Sequence, residues 1–313
     1  MNFFDNTRRL AILLLVACAA MPVWAANPAQ IALLKWYSAN QVTNFAVGNL
    51  PIGFAFDGSN MWVANWGAAS VSKLRANDGA VLGTFTVGTK PVALAFDGAN
   101  LWVANISSNN VTKLRASDGA TLNTFAVDSP DGVAFDGANI WVTNLHPNTV
   151  TKLRATDGIV LGTFPTGSAP EGVAFDGSNI WVANSGSNNV TKLRASDGAV
   201  LGTFAVGSAP VALAFDGTNI WVANDASATV TKLRASDGAL VNTFPAGANP
   251  VSLAFDGVHI WVANLTSNSV SELQASNGKL LGTFAVGSFP EGVAFDGANI
   301  WVANFGSNTA GKL

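Results

Sequence analysis

The sequence has few of the residues on which most catalytic and metal-binding sites depend. Its 313 residues include one cysteine and two histidines, and charged residues make up only 11%. The formal net charge of −3 gives no reason to expect the basic patch that a nucleic acid partner requires. No Gly-x-Ser-x-Gly segment is present, which excludes the nucleophile elbow of α/β-hydrolases.

Cofactor motifs are missing as well. The segment 306–312 reads Gly-x-x-x-x-Gly-Lys, but Leu313 stands where a phosphate-binding loop requires Ser or Thr. We therefore assign no cofactor, no metal and no catalytic residue from the sequence.

The first 25 residues have the pattern of a secretory signal. Arg8 and Arg9 precede a short apolar run at 10–17, and small residues lead to a cleavage site after Ala25. The apolar run is shorter than a transmembrane helix, which needs about 20 apolar residues. We therefore expect export of the chain to the periplasm or to the medium.

The single cysteine leaves two processing routes open. The segment from Leu15 to Cys18 resembles the lipobox of bacterial lipoproteins, whose cysteine is lipidated and becomes the mature N-terminus. Alternatively, Cys18 is removed with the signal peptide, and the mature chain folds without a disulfide. A membrane is a partner only on the first route.

A repeat of about 40 residues runs through the rest of the chain. Phe-Asp-Gly occurs seven times at spacings of 39 or 40 residues, and a tryptophan follows each at a constant distance. A constant period of this length is the signature of stacked supersecondary units. The repeated tryptophans are Trp62, Trp102, Trp141, Trp181, Trp221, Trp261 and Trp301.

Each repeat has the pattern of four short strands separated by turns. In the fourth repeat, segments 170–176, 179–184, 190–194 and 200–206 are rich in β-branched and apolar residues, and turn residues separate them. No apolar pattern with the 3.6-residue period of a helix is present. The predicted fold is all-β: a seven-bladed β-propeller with four antiparallel strands, A to D, in each blade.

The two ends of the repeat region complement each other. The seventh repeat stops at Leu313 before its fourth strand, whereas 42–48 matches the fourth strand of other repeats. We expect this N-terminal strand to complete the last blade and close the ring. The predicted organisation is a signal peptide at 1–25, an N-terminal segment at 26–40 and the propeller at 41–313.

The strand that carries the repeated tryptophan resembles that of a known repeat class. Its motif Trp-Val-Ala-Asn, which is Trp-Val-Thr-Asn at Trp141–Asn144, is similar to the Tyr-Val-Thr-Asn strand of YVTN-type propeller repeats. This resemblance implies a protein of the cell envelope or surface. A more distant likeness to NHL-type and streptogramin-lyase-like propellers implies an enzyme as an alternative, and such lyases tend to employ histidines.

The two faces of the predicted ring differ in how much they vary between repeats. The A–B and C–D turns, on what we call the turn face, keep Asp-Gly or Asn-Gly wherever they occur. The D–A and B–C loops, on what we call the loop face, change from repeat to repeat, and recognition usually lies in such loops. The candidate binding residues, all on the loop face, are Trp66, Lys90, Asp128, Asp131, Glu171, Asp225, Phe289, Glu291 and Phe305.

These candidates combine acidic and aromatic side chains with a single base. We predict a monomeric binding or scaffolding protein whose loop face recognises a protein, peptide or glycan of the cell envelope. The alternative is a streptogramin-lyase-like or lactonase-like enzyme that uses acidic residues at the channel mouth, with Asp131 and Glu171 in adjacent blades as the best pair. His146 on the loop face and His259 on the turn face are too far apart to share a metal.

The residues that repeat in every blade are expected to be structural. The Phe-Asp-Gly aspartates cap their own turns; the alternative is a sevenfold carboxylate ring that holds a cation. The tryptophans pack between neighbouring blades. Each Lys-Leu-Arg arginine lies three residues before a turn aspartate, as Arg75 lies before Asp78, and forms a structural pair with it.

Overall fold

The computed structural model describes residues 43–313 and shows them as a closed ring of β-sheets. The described chain contains 28 strands in seven four-stranded antiparallel sheets. The A strands of neighbouring blades contact one another around the centre of the ring. This architecture confirms the predicted seven-bladed β-propeller, while the predicted signal peptide and N-terminal segment lie outside the described residues.

Strand bounds are nearly constant from blade to blade. Blade 1 consists of β2 (Pro51–Phe56), β3 (Asn60–Asn65), β4 (Ser70–Arg75) and β5 (Val81–Thr86). Blade 2 consists of β6 (Pro91–Phe96), β7 (Asn100–Asn105), β8 (Asn110–Arg115) and β9 (Thr121–Ala126). Blade 3 consists of β10 (Pro130–Phe135), β11 (Asn139–Asn144), β12 (Thr149–Arg154) and β13 (Val160–Pro165). Blade 4 consists of β14 (Pro170–Phe175), β15 (Asn179–Asn184), β16 (Asn189–Arg194) and β17 (Val200–Ala205).

The remaining blades follow the same order. Blade 5 consists of β18 (Pro210–Phe215), β19 (Asn219–Asn224), β20 (Thr229–Arg234) and β21 (Leu240–Pro245). Blade 6 consists of β22 (Pro250–Phe255), β23 (His259–Asn264), β24 (Ser269–Gln274) and β25 (Leu280–Ala285). Blade 7 consists of β26 (Pro290–Phe295), β27 (Ile300–Asn304), β28 (Thr309–Lys312) and β1 (Thr43–Ala46). Three short 3₁₀ helices lie in B–C loops, at Trp66–Ala68, Ile106–Ser108 and Phe305–Ser307.

The ring is closed where a strand from the N-terminal end of the repeat region pairs with a strand from its C-terminal end. β1 pairs antiparallel with β28, with Thr43 opposite Lys312 and Ala46 opposite Thr309. The ring of Phe45 lies 5.6 Å from that of Trp301, as the D-strand phenylalanines of other blades lie against their own tryptophans. The structure thus confirms the N-terminal strand as the outer strand of the last blade.

The core lies between the blades and is built mainly from the B and C strands. These strands are buried almost continuously because neighbouring blades cover both of their faces, whereas the outer D strands alternate between exposed and partly buried residues. Trp62, for example, packs with Leu101, Val103 and Leu114 of the next blade. The prediction that the tryptophans lie between blades is therefore confirmed.

The Phe-Asp-Gly aspartates are turn caps, as predicted, and they also hold the tryptophans. In blade 4, Oδ1 of Asp176 accepts the backbone N–H groups of Ser178 (2.9 Å) and Asn179 (2.7 Å). Its Oδ2 accepts the indole N–H of Trp181 at 2.7 Å. These hydrogen bonds lower the pKa of Asp176 despite its partial burial, and the same contacts recur in every blade.

In six of the seven blades, a lysine on the C strand joins the blade to the next one. The ammonium group of Lys73 donates to the backbone oxygen of Ala116 in blade 2 at 2.7 Å and lies 4.9 Å from the ring centre of Trp62. We call these residues the interblade lysines: Lys73, Lys113, Lys152, Lys192, Lys232 and Lys312. The arginines of the same strands instead form exposed ion pairs with turn aspartates, such as Arg75 with Asp78 at 2.9 Å.

Candidate functional site

A cavity of about 640 Å³ lies at the loop-face end of the central channel. Four carboxylates line it, and we call it the acidic cavity after them: Asp131, Glu171, Asp225 and Glu291. No lysine, arginine or histidine lies among its described lining residues. The cavity therefore concentrates negative charge without an internal counter-ion.

The backbone just after the repeated prolines directs three of these carboxylates into the cavity. Asp131, Glu171 and Glu291 each follow the first proline of an A strand, where the pairing with the B strand shifts register. Such irregularities commonly re-aim a side chain. The fourth carboxylate, Asp225, comes from the first position of the B–C loop of blade 5.

The glycines that follow the acidic residues allow the A strands to approach one another closely. A Cβ atom at Gly172 would lie only 2.6 Å from the backbone oxygen of Val211 in blade 5. The contact is with backbone, so a side chain at this position would force the inner strands apart. The glycine after Glu171 therefore keeps the channel mouth narrow.

Burial and neighbouring carboxylates raise the pKa values of Asp131, Glu171 and Glu291. Burial, followed by the charge of Glu171, raises the pKa of Asp131 to about 7. Burial, followed by the charges of Asp225 and Glu171, raises the pKa of Glu291 to about 7. Burial also raises the pKa of Glu171, although the Ser185 hydroxyl partly offsets the effect. Carboxylates in such a site gain free energy from any cation that enters it.

Asp225 adds an unsatisfied acceptor to the cavity. Its Oδ1 atom is fully buried and has no hydrogen-bond partner within residues 43–313. A buried acceptor without a partner costs about 1–3 kcal/mol, more when it is charged.

A second group of candidate residues lies outside the cavity, at the junction of blades 1 and 7. The rings of Trp66 and Phe305 lie 6.1 Å apart, and the Lys90 ammonium group lies 4.4 Å from the ring centre of Trp66. Phe289 is 47% exposed, has a left-handed backbone (φ 51°) and accepts the backbone N–H of Phe305. We call these four residues the aromatic corner.

The structure therefore divides the nine candidates into two groups and leaves one apart. Asp128 is exposed and contacts the hydroxyl of Ser129 instead of lining the cavity. Neither His146 nor His259 lines the cavity. From residue 43 onwards, no three His, Cys, Asp or Glu side chains converge closely enough to ligate one metal ion.

The apolar wall of the cavity consists of residues that were not among the nine candidates. It is formed by residues that include Ile52, Val92, Val211, Val251 and Leu265. The first four occupy the same position after the proline as Asp131, Glu171 and Glu291. This shared position could have identified them from the sequence as residues of the cavity wall.

We expect Glu291→Gln to raise the melting temperature at pH 8 and to leave it nearly unchanged at pH 4. The pKa of Glu291 is raised from 4.5 to about 7 in the fold, so the stability present below pH 4.5 is lost as the pH rises through about 7. The upper limit of the gain is about 3 kcal/mol, at 1.36 kcal/mol per pKa unit. Melting curves at both pH values measure it, with Asp128→Asn as the exposed control. Equal effects at the two pH values would contradict ionisation of the partly buried Glu291 as the source of the gain.

Together these features define a seven-bladed β-propeller whose loop face opens into an acidic cavity, and three solved structures share the fold over most of both chains. A streptogramin B lyase is 19% identical, with 87% of this chain and 96% of that chain covered and a TM-score of 0.75. Virginiamycin B lyase from Staphylococcus aureus is also 19% identical, with 87% and 98% covered and a TM-score of 0.74. Hydrazine synthase of Kuenenia stuttgartiensis is 20% identical, with 85% and 97% covered and a TM-score of 0.72. At these identities the likeness shows the fold alone.

No protein-family model and no curated protein matches the sequence. The resemblance to YVTN-type and NHL-type repeats therefore stays a prediction.

Proposed function

We propose that this protein is an extracytoplasmic binding protein whose acidic cavity receives a basic segment of a protein or peptide of the cell envelope. The observation that carries the proposal is the convergence of four carboxylates on one open cavity with no basic side chain among its described lining residues. Charge complementarity of this kind steers association and selects the partner.

The electrostatics of the cavity favour a cationic ligand. Asp131 and Glu291 have pKa values of about 7, so near neutral pH they ionise against an unfavourable environment. A lysine or arginine head group that enters the cavity relieves this repulsion and returns the pKa values towards their usual range.

The shape of the lining fits the stem of a basic side chain. The cavity wall between the carboxylates is aliphatic at Val92, Val211 and Val251. Lysine and arginine side chains bury their methylene stems along such surfaces while their charged ends meet acidic groups. A neutral glycan has no group that would use the four carboxylates as counter-ions.

N-acetylated tetralysine amide is expected to bind in the acidic cavity more weakly at pH 5.5 than at pH 8, by about tenfold or more. Protonation of Asp131 and Glu291 through pKa values of about 7 removes charge that attracts the peptide. Isothermal titration calorimetry measures both affinities. The ionic strength is the same at both pH values, because salt screens exposed charges.

A matched pair of variants locates that binding. The double variant Asp131→Asn, Glu291→Gln is expected to weaken binding at pH 8 by about tenfold or more, since one pKa unit of interaction is 1.36 kcal/mol. Asp128→Asn, which also removes an acidic charge from the loop face, should bind as the unmodified protein does. Equal losses in both proteins, or no binding of the peptide, would overturn the proposal.

A lyase or hydrolase is the second candidate function. It is supported by the structural likeness to a streptogramin B lyase and a virginiamycin B lyase, and by two cavity carboxyls whose pKa values of about 7 suit general acid–base catalysis. The absence of His146 and His259 from the described lining of the cavity speaks against it. Incubation with virginiamycin B, followed by mass spectrometry, tests this function. Consumption of virginiamycin B that Glu291→Gln abolishes would favour the enzyme, and no consumption would count against it.

We further propose that the chain is exported and acts as a monomer. The N-terminal pattern of Arg8, Arg9 and a cleavage site after Ala25 supports export, and Cys18 supports a lipidated form as the alternative. No helix of the described residues is both long and apolar enough to cross a bilayer. Membrane fractionation of the Cys18→Ala variant separates the two forms, because only a lipoprotein would leave the membrane fraction.

A further inference from the structure

Blade 6 departs from the other blades at the position of the interblade lysine. Glu272 stands on its C strand where the other six blades carry lysine. In the same blade His259 takes the place of an asparagine. That asparagine is the first residue of the B strand in blades 1 to 5, and in blade 7 it directly precedes the B strand. The positive charge of this position is therefore lost, and a negative charge takes its place.

The other blades show what the unaltered position holds. In blade 5 the Lys232 ammonium group lies 4.8 Å from the ring centre of Trp221 and 4.0 Å from a carboxylate oxygen of Asp216. The distances from ammonium to ring centre in the other five lie between 4.8 and 5.6 Å. In all six blades the ammonium group also donates to a backbone oxygen of the next blade at 2.7 or 2.8 Å. An indole face beside an aspartate, together with this backbone oxygen, is thus an ammonium-binding arrangement that the chain uses six times.

Blade 6 keeps the indole and the aspartate of this arrangement but has Glu272 in place of the lysine. The indole N–H of Trp261 still donates to Asp256 at 2.8 Å. Trp261 is partly exposed, whereas the other six repeated tryptophans are completely buried. Among the seven repeated tryptophans of residues 43–313, solvent therefore reaches the one that has no lysine beside it.

The charges around Trp261 favour the binding of a cation. Nδ1 of His259 lies 3.1 Å from Asp256 and 3.3 Å from Glu272, and the three side chains are 27%, 15% and 18% exposed. Within residues 43–313 neither carboxylate forms an ion pair with a lysine or arginine. Two carboxylates and one imidazole thus replace the neutral aspartate–lysine pair of blade 5.

We propose that Trp261, Asp256 and Glu272 form a binding site on the turn face for a primary alkylammonium group, such as the lysine side chain of a partner protein. The ligand's ammonium group takes the place over the indole that a lysine of the chain itself fills in six blades. Glu272 supplies the second negative charge and the partial exposure of Trp261 supplies access. This site is independent of the acidic cavity, which opens on the opposite face.

Titration with n-butylammonium, which reproduces the end of a lysine side chain, tests the proposal at pH 7.5. The indole N–H resonance of Trp261, assigned with Trp261→Phe, is expected to shift saturably with a dissociation constant of about 1 to 10 mM. n-Butanol, which has the same stem without the charge, should produce no saturable shift.

Two variants at one position give the control. Glu272→Lys restores the residue of the other blades and fills the site from within, so it should abolish the shift. Glu272→Gln keeps the shape of the side chain but removes its charge, and it remains informative if the lysine variant fails to fold. It should weaken the binding of n-butylammonium about fivefold. Asp131→Asn, in the acidic cavity, should bind butylammonium at Trp261 unchanged, so the two proposals fail separately.

Two results would overturn the proposal. If the Trp261 resonance does not move, His259 already serves as the cation of blade 6 and the cluster is structural. If Glu272→Lys and Glu272→Gln both bind as the unmodified protein does, the ligand is held elsewhere.

Discussion

Deletion of residues 41–48, which contain β1, is expected to abolish the single cooperative unfolding transition and to lower the melting temperature by about 10 °C or more. β1 is the outer strand of blade 7. It comes from the N-terminal end of the described chain, whereas the other three strands of this blade come from the C-terminal end. Without it, β28 becomes an unpaired edge and the first and last blades lose a covalent connection across their junction.

The size of the effect follows from what β1 covers. Phe45 lies against Trp301, and its ring occupies the space where a side chain at Gly79 of blade 1 would lie. Loss of a packed phenylalanine alone costs about 3–5 kcal/mol. In a domain of this size each kcal/mol lowers the melting temperature by about 2–4 °C. The unpaired backbone of β28 adds to that loss.

Calorimetry on the deletion variant measures this effect, and two point variants bracket it. Phe45→Ala should account for a large part of the loss. Ala46→Ser, at an exposed position of the same strand, should change the melting temperature little. A deletion variant that melts like the unmodified protein would contradict the role of β1 in closing the ring.

Asp176→Ala is expected to lower the free energy of unfolding by about 2–4 kcal/mol. The substitution removes the acceptor of two backbone N–H groups and of the Trp181 indole N–H. The indole donor is then left buried without its partner, which costs about 1–3 kcal/mol, and the turn loses its cap as well. Urea unfolding followed by tryptophan fluorescence measures the loss.

The second Asp-Gly turn of the same blade provides the matched control. Asp197 pairs with Arg194 at 2.9 Å, but both side chains are about half exposed, at 52% and 51%. Asp197→Ala should therefore change stability little, because water replaces the interaction. Similar losses in the two variants would show that the indole hydrogen bond is not what distinguishes these turns.

Much of the fold follows from the repeat pattern, since identical residues at a constant spacing must occupy equivalent environments. The four strands, the turn-capping role of Asp176 and the closure by 42–48 were all predictable for this reason. The indole hydrogen bond of Asp176 was not, because it joins side chains five residues apart across a turn whose conformation the sequence leaves open. The interblade role of Lys73 was also missed, since its acceptor lies 43 residues away.

The sequence predicted on which face of the ring the candidate residues lie, but not which of them lie together. The sequence placed Asp131, Glu171, Asp225 and Glu291 on loops of one side, together with Trp66 and Phe305. It could not show that the four carboxylates share a cavity while the aromatic residues lie apart from it, at the junction of blades 1 and 7. That division depends on how far each position lies from the ring axis.

The sequence by itself determined the number of blades, the order of strands and the two unequal faces, because these are properties of a local, repeated pattern. Only the tertiary structure decided which charges meet. Asp131 and Glu291 belong to different blades and are 160 residues apart in the chain, yet both line one cavity and have pKa values of about 7. Such values arise from burial and from charges brought together by closing the ring, and no local pattern encodes either.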